Sequence, residues 1–167
     1  MKNYALFIFI LAALALASCS RPEPVVAVVV IEPTVIKINE IYSRGVTTDP
    51  DWIEIYNASS FPVTLAGYKI YDTGGQSGSK PKMVIPAGTT IPAKGYFVIV
   101  TDIVTTIDPS GFGLSSAGEE VWLEDASGKV IDDVTFLAMD VTQTYSRIPD
   151  GGTWGLTSSI TKGTANK

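Results

Sequence analysis

The sequence predicts an all-β protein, an antiparallel sandwich or barrel, over most of its length. Three observations carry this reading. From Val35 onward, short segments rich in β-branched and aromatic residues recur: "VIKINEIY", "DWIEIYN", "FPVTL", "YKIYD", "KMVI", "GYFVIVTD", "EEVWLED" and "KVIDDVTF". Between them lie turn-forming stretches such as "IPAGTTIPAKG", "DPSGFG", "DASGK" and "IPDGG". Outside the N-terminal stretch no helical period is visible, so no crossover helix is available to join parallel strands. With 167 residues, 46% of them apolar and 10% aromatic, the chain has enough material for one packed core.

The chain begins with a different pattern. Lys2 precedes an uncharged run from Tyr4 to Ala17, the layout of a signal peptide and too short for a comfortable membrane span. The run ends in Leu16-Ala17-Ser18-Cys19, and Cys19 is the single cysteine of the chain. Leucine, two small residues and cysteine at this place resemble a bacterial lipobox. That resemblance implies cleavage before Cys19 and lipid attachment to its thiol. It also accounts for a lone cysteine, which would otherwise remain as an exposed thiol. Residues 1–18 are thus expected to be a lipoprotein signal peptide. Losing Lys2 with it changes the net charge from −5 to −6. Ser20, rather than an aspartate, follows the cysteine, which favours the outer membrane in a cell that has one. Residues 19–34, "CSRPEPVVAVVVIEPT", carry Pro22, Pro24 and Pro33 and are expected to be a stiff tether. The apolar run from Val25 to Ile31 could also pair as an edge strand.

Residues 35–167 are expected to form the domain. In "VIKINEIY", strict alternation places Ile36, Ile38 and Glu40 on one face. In "DWIEIYN" it places Trp52, Glu54 and Tyr56 on one face and Ile53 and Ile55 on the other. The polar stretch from Thr73 to Lys82 reads as a flexible loop. Pro92 to Gly95 reads as a turn feeding Tyr96 to Val100, nearly all apolar and therefore expected at the centre of a sheet. "DASGK" reads as a hairpin turn, with Gly128 supplying a positive φ. The last stretch, "SSITKGTANK", is polar and expected to be only partly ordered.

Few residues suggest chemistry. The chain has no histidine. Ser-His-Asp and Cys-His catalysis are therefore impossible, and so are ordinary zinc sites. The net negative charge and the lack of a basic stripe argue against nucleic acid. No cofactor is called for, because the glycine-rich "TGGQSGS" does not lead from a strand into a helix. Carboxylates remain. Glu40 and Glu54 lie among apolar neighbours, where they would form an acid/base pair, a cation site, or a structural polar cluster satisfied by Arg147 in "YSRIPDG" or by backbone amides. The structural cluster is the favoured reading, with no catalytic residue. Asp49, Asp51 and Asp125 on turns are weak calcium candidates, as are Asp108 and Asp150. None follows the regular calcium-loop spacing, and turn capping is the simpler role. Trp52, Trp122 and Trp154 read as packing residues rather than sugar platforms.

The order "INEIY", "DWIEIYN", "VTLAGYKIYD", "IPAKGYFVIV", "FGLSSAGEEVWLEDASGKVIDDVTF", "YSRIPDGGTW" resembles the lamin-tail domain over roughly residues 35–166. The resemblance implies an immunoglobulin-like β-sandwich, and a binding or accessory role rather than catalysis. It departs at "TKGTAN", where Lys162 stands where bacterial relatives often have proline. The resulting expectation is a non-enzymatic lipoprotein at the cell envelope, anchored to the membrane by lipid and bound to a protein partner. A rival expectation is an accessory calcium- or carbohydrate-binding module, and a third is a minimal hydrolase built on Glu40 and Glu54.

Overall fold

The computed structural model describes residues 35–101 and 111–167. The expected signal peptide (residues 1–18), Cys19, the expected tether with Val25 to Ile31, and Asp108 lie outside the described residues. Eleven strands and one short helix follow in chain order: β1 (Ile36–Tyr42), β2 (Trp52–Asn57), β3 (Val63–Thr64), β4 (Lys69–Asp72), α1 (Thr73–Ser77), β5 (Met83–Val84), β6 (Thr90–Ile91), β7 (Tyr96–Val100), β8 (Gly118–Glu124), β9 (Val130–Leu137), β10 (Thr144–Ile148) and β11 (Thr153–Thr157). One sheet has the order β11-β10-β1-β2-β7, the other β5-β4-β8-β9, and β3 pairs with β6 separately. All pairings are antiparallel. This is the antiparallel sandwich that the sequence pattern predicts, of the immunoglobulin-like type that the lamin-tail resemblance implies.

The core lies between the two sheets. Eight isoleucines at positions 36, 38, 41, 53, 55, 70, 85 and 91 are fully buried, joined by Leu65, Val121, Leu123, Val134 and Phe136. Full burial of one such side chain contributes about 1.5–3 kcal/mol. Their branched shapes also suit the pleated surface better than a helix. The "DASGK" turn closes the β8–β9 hairpin as expected. Gly128 has φ +88°, and the Asp125 carboxylate accepts from the amides of Ser127 and Lys129.

Four expectations are corrected. First, β1 does not alternate strictly. Its register against β2 shifts between Ile38 and Glu40. Ile38 and Ile41 both face the core, while Asn39 and Glu40 bond to groups on the opposite side of the sheet. Glu40 therefore does not share a face with Ile36 and Ile38. A single extra residue is enough to exchange the faces beyond it.

Second, β7 lies at an edge of the described five-stranded sheet, and β1 lies at the centre. Most of β7 is half-buried. Its apolar surface is covered partly by Tyr56, stacked on Tyr96 at 5.2 Å between ring centroids.

Third, the loop after β4 is fastened. Asp72 caps α1 through the Gly75 amide (3.0 Å), and Lys80 bonds the other Asp72 oxygen at 2.8 Å. Gly75 sits directly on Tyr71: a Cβ there would come within 2.7 Å of the Tyr71 Cβ. Fourth, the C-terminal stretch is anchored into the domain, with Asn166 only 4% exposed.

Candidate functional site

The densest polar arrangement lies on the face of the five-stranded sheet away from the core. The β1–β2 register sets Glu40 directly opposite Glu54. Both are fully buried. The C-terminal segment is laid across them. Glu40 accepts from the Thr161 amide (3.1 Å) and hydroxyl (2.8 Å). Glu54 accepts from the Gly163 amide (2.7 Å) and from the Asn39 side-chain amide (2.9 Å). Asp150, in the turn after β10, accepts from Asn39 (2.9 Å), the Asn166 amide (3.0 Å) and the Tyr96 hydroxyl (2.5 Å). The Asn166 side chain then donates to the carbonyls of Asn39 (3.2 Å) and Arg147 (3.0 Å).

Neither Glu40 nor Glu54 has an ion-pair partner among the described residues. The charge is met by neutral donors instead. Burial pushes the Glu54 carboxyl up to about 7. The bonds from Asn39 and Gly163 oppose that shift, while the nearby Glu40 and Asp150 carboxylates add to it. Burial, with the bond to Asp150, also raises the Tyr96 hydroxyl well above its ordinary value.

Arg147 does not pair with Glu40 or Glu54, as the sequence reading expected. It lies on β10 and reaches the carboxylate of Asp132 on β9, at 3.0 and 3.2 Å. It also donates to the carbonyls of Ile38 (2.9 Å) and Gly152 (3.0 Å), and it stacks over Trp154. Asp132 in turn accepts the Ile38 amide at 2.8 Å. The two backbone groups of Ile38, just before the register shift, are thus taken by an aspartate of one sheet and an arginine of the other. Neutral donors already satisfy Glu40 and Glu54, which leaves Arg147 to the carboxylate at the seam. Burial raises the Asp132 carboxyl against the opposing pull of Arg147.

The remaining candidates are dispersed. Asp51 accepts the Gly45 amide at 2.6 Å. Asp49 lies 3.5 Å from Lys162. Asp125 is committed to its own turn, where the Ser127 hydroxyl holds its carboxyl below the usual range. Among the described residues, no three His, Cys, Asp or Glu side chains come together to hold a metal ion. Trp52 is core, Trp122 stacks on Tyr71 and Trp154 on Tyr145.

Asn39, Asp132 and Asn166 were missed from the sequence. Asp132 had a readable signal, since it stands two and four residues before the inward-facing Val134 and Phe136 and so shares their face. Asn39 and Asn166 had none.

A family model described as Lamin Tail Domain matches residues 31–138. The chain belongs to the lamin-tail domain family. No curated protein matches it. The match covers β1 to β9 but not β10, β11 or the C-terminal segment that closes over Glu40 and Glu54. A lamin-tail domain of this immunoglobulin-like build is, in general terms, a binding module.

Proposed function

We propose that this lamin-tail domain is the exposed part of a non-enzymatic lipoprotein, anchored at the cell envelope through Cys19 and engaged with a protein partner. The observation that best supports a binding rather than a hydrolytic role is the occupancy of Glu40 and Glu54. Both carboxylates hold the chain's own C-terminal segment through Thr161 and Gly163. An acid/base pair needs at least one carboxyl open to substrate or water. The lipobox-like "LASC" supports the anchor, with the outer membrane favoured where the cell has one. The β-prone stretch from Val25 to Ile31 supports capture of a partner by strand addition.

The test joins labelling to capture. Wild-type chain in intact cells should incorporate labelled palmitate and fractionate with membranes, and Cys19→Ser should do neither. Unchanged labelling in Cys19→Ser sinks the anchor. In a crosslinking pull-down, Val28→Lys with Val30→Lys should reduce capture. Gln76→Lys, on the exposed side of α1, should leave it intact. The opposite pattern would move recognition to that loop.

A further inference from the structure

The C-terminal segment covers the carboxylate face with few attachments. Glu40, Glu54 and Val98 stand in one row across β1, β2 and β7. Thr161 lies over Glu40, and Gly163 lies over Glu54, where a Cβ would stand 4.0 Å from the Val98 side chain. Between them the chain turns: the Thr164 amide donates to the Thr161 carbonyl at 2.8 Å, and Gly163 has φ +78°. Residues 162–165 are exposed, so the segment is held by hydrogen bonds rather than by buried apolar surface. Segments of that kind open locally, below the free energy of global unfolding. Beneath it, no cation meets the two glutamates among the described residues. Lys37 on β1 is given to the Gly151 carbonyl (3.2 Å), and Lys162 in the segment lies beside Asp49 (3.5 Å). β10 sets Ser146 opposite Glu40, while Arg147 is turned to Asp132. The other titratable groups on this face are the Asp150 carboxylate and the hydroxyls of Tyr56 on β2 and Tyr96 on β7.

We propose that residues 161–166 form a proton-dependent strap, closed over the sheet while the Glu40–Glu54 pair keeps one proton and opened as the pair becomes doubly ionised. Two buried carboxylates side by side, with no cation between them, resist carrying two charges. The smallest rearrangement that relieves this is lifting the strap, which brings water to Glu54 and leaves the core intact. Burial under the strap raises the Glu54 carboxyl to about 7, against the opposing bonds from Asn39 and Gly163, and opening returns it towards the ordinary 4.5. The closed state therefore binds the proton more tightly. Its advantage is complete below pH 4.5, falls as pH rises, and is gone above about 7. That difference bounds the change in the opening equilibrium at about 300-fold. An open strap at neutral pH leaves both carboxylates ionised, so no proton donor for glycoside hydrolysis appears. What it uncovers is an anionic row that the closed domain hides. The inference does not depend on the anchoring read from Cys19 or on the capture of a partner.

The experiment is amide hydrogen exchange on the full chain, in detergent, from pH 4.5 to about 8, with each rate divided by the intrinsic rate at that pH. A parallel series contains low concentrations of urea. The amides of Thr161, Gly163 and Asn166 report the strap, and those of Ile53 and Ile55 report the core ladder. The strap amides should have larger opening constants than the core amides and should be insensitive to urea. Their opening constants should rise by about ten- to 300-fold between pH 4.5 and 7 and then level off. Glu54→Gln should reduce that rise to less than about threefold, with the strap amides still faster than the core. Strap amides that open only together with Ile53 and Ile55, with the same urea dependence, overturn the proposal, because the segment is then an inseparable part of the fold. So do wild-type opening constants that are independent of pH, or a rise in Glu54→Gln as large as in wild type. The comparison of strap with core in wild type needs no variant and stands even if Glu54→Gln fails to fold.

Discussion

Glu54 should make this domain less stable as pH rises, the reverse of an ordinary surface carboxylate. Its folded pKa of about 7 lies above the ordinary 4.5, so the folded state holds the proton more tightly than the unfolded chain does. The stabilisation this supplies is complete below pH 4.5 and is lost as pH rises through about 7. At about 1.4 kcal/mol per pH unit, the whole swing is about 3 kcal/mol. That is a large fraction of the 5–15 kcal/mol typical of a domain. Other groups titrate over the same range, so the informative quantity is the difference between wild type and Glu54→Gln. Gln keeps the size, cannot ionise, and retains one carbonyl to accept from Asn39 or Gly163. Urea unfolding of both proteins from pH 4.5 to 8 should show the variant gaining about 3 kcal/mol relative to wild type across the series. The carboxyl carbon of Glu54 should titrate near 7 by NMR. Parallel stability curves, or a titration midpoint below 5, would refute the account of burial overcoming the Asn39 and Gly163 hydrogen bonds.

Two further outcomes follow from the same face and its neighbour. Arg147→Ala removes the partner of Asp132, and with side-chain exposures of only 14% and 15% the pair is largely buried. Breaking a buried pair costs about 3–5 kcal/mol, and the slight exposure here places the expected loss near the lower end. Lys129→Ala, at an exposed turn, should change stability by less than about 0.5 kcal/mol in the same urea assay. Similar small losses in both would mean that the seam contributes little. Asn166→Ala leaves the carbonyls of Asn39 and Arg147 without their donor, at a cost of about 1–3 kcal/mol. Amide exchange at Thr161 and Gly163 should then accelerate about tenfold or more, because their acceptors lie under the loosened segment. Exchange unchanged from wild type would show that Asn166 does not fasten the C-terminus.

The sandwich was legible in the sequence because period-2 patterning and turn chemistry are local signals. The β8–β9 hairpin followed from five residues. Where the reading failed, a long-range partner decided the outcome. Glu40 was assigned to the wrong face because the register shift at Asn39 leaves no mark in "VIKINEIY". The apolar Tyr96–Val100 looked central, yet a strand's place in a sheet depends on which others pair with it. Asn166 sits in a tail with the composition of a loose end, and it is held by carbonyls 19 and 127 residues away. The burial of Glu40 and Glu54 was anticipated from their apolar neighbours. The identity of their donors was not, since backbone amides carry no sequence signature. Arg147 was recognised as half of a pair, and Asp132, its partner, had been passed over on a strand judged only by its hydrophobic residues.

The central place of β1 has a mechanical meaning. Any pull delivered through the chain ahead of Val35 enters the domain along this strand. An edge strand under load peels away, one hydrogen bond breaking after another, each contributing only about 1 kcal/mol. β1 is flanked by β2 and β10, and Ile38 is pinned between Asp132 and Arg147. Tension along it loads both ladders and the pin in shear, so several bonds must rupture together. A pull arriving at Val35 is therefore met first at the middle of the larger sheet rather than at its described edges, β7 and β11.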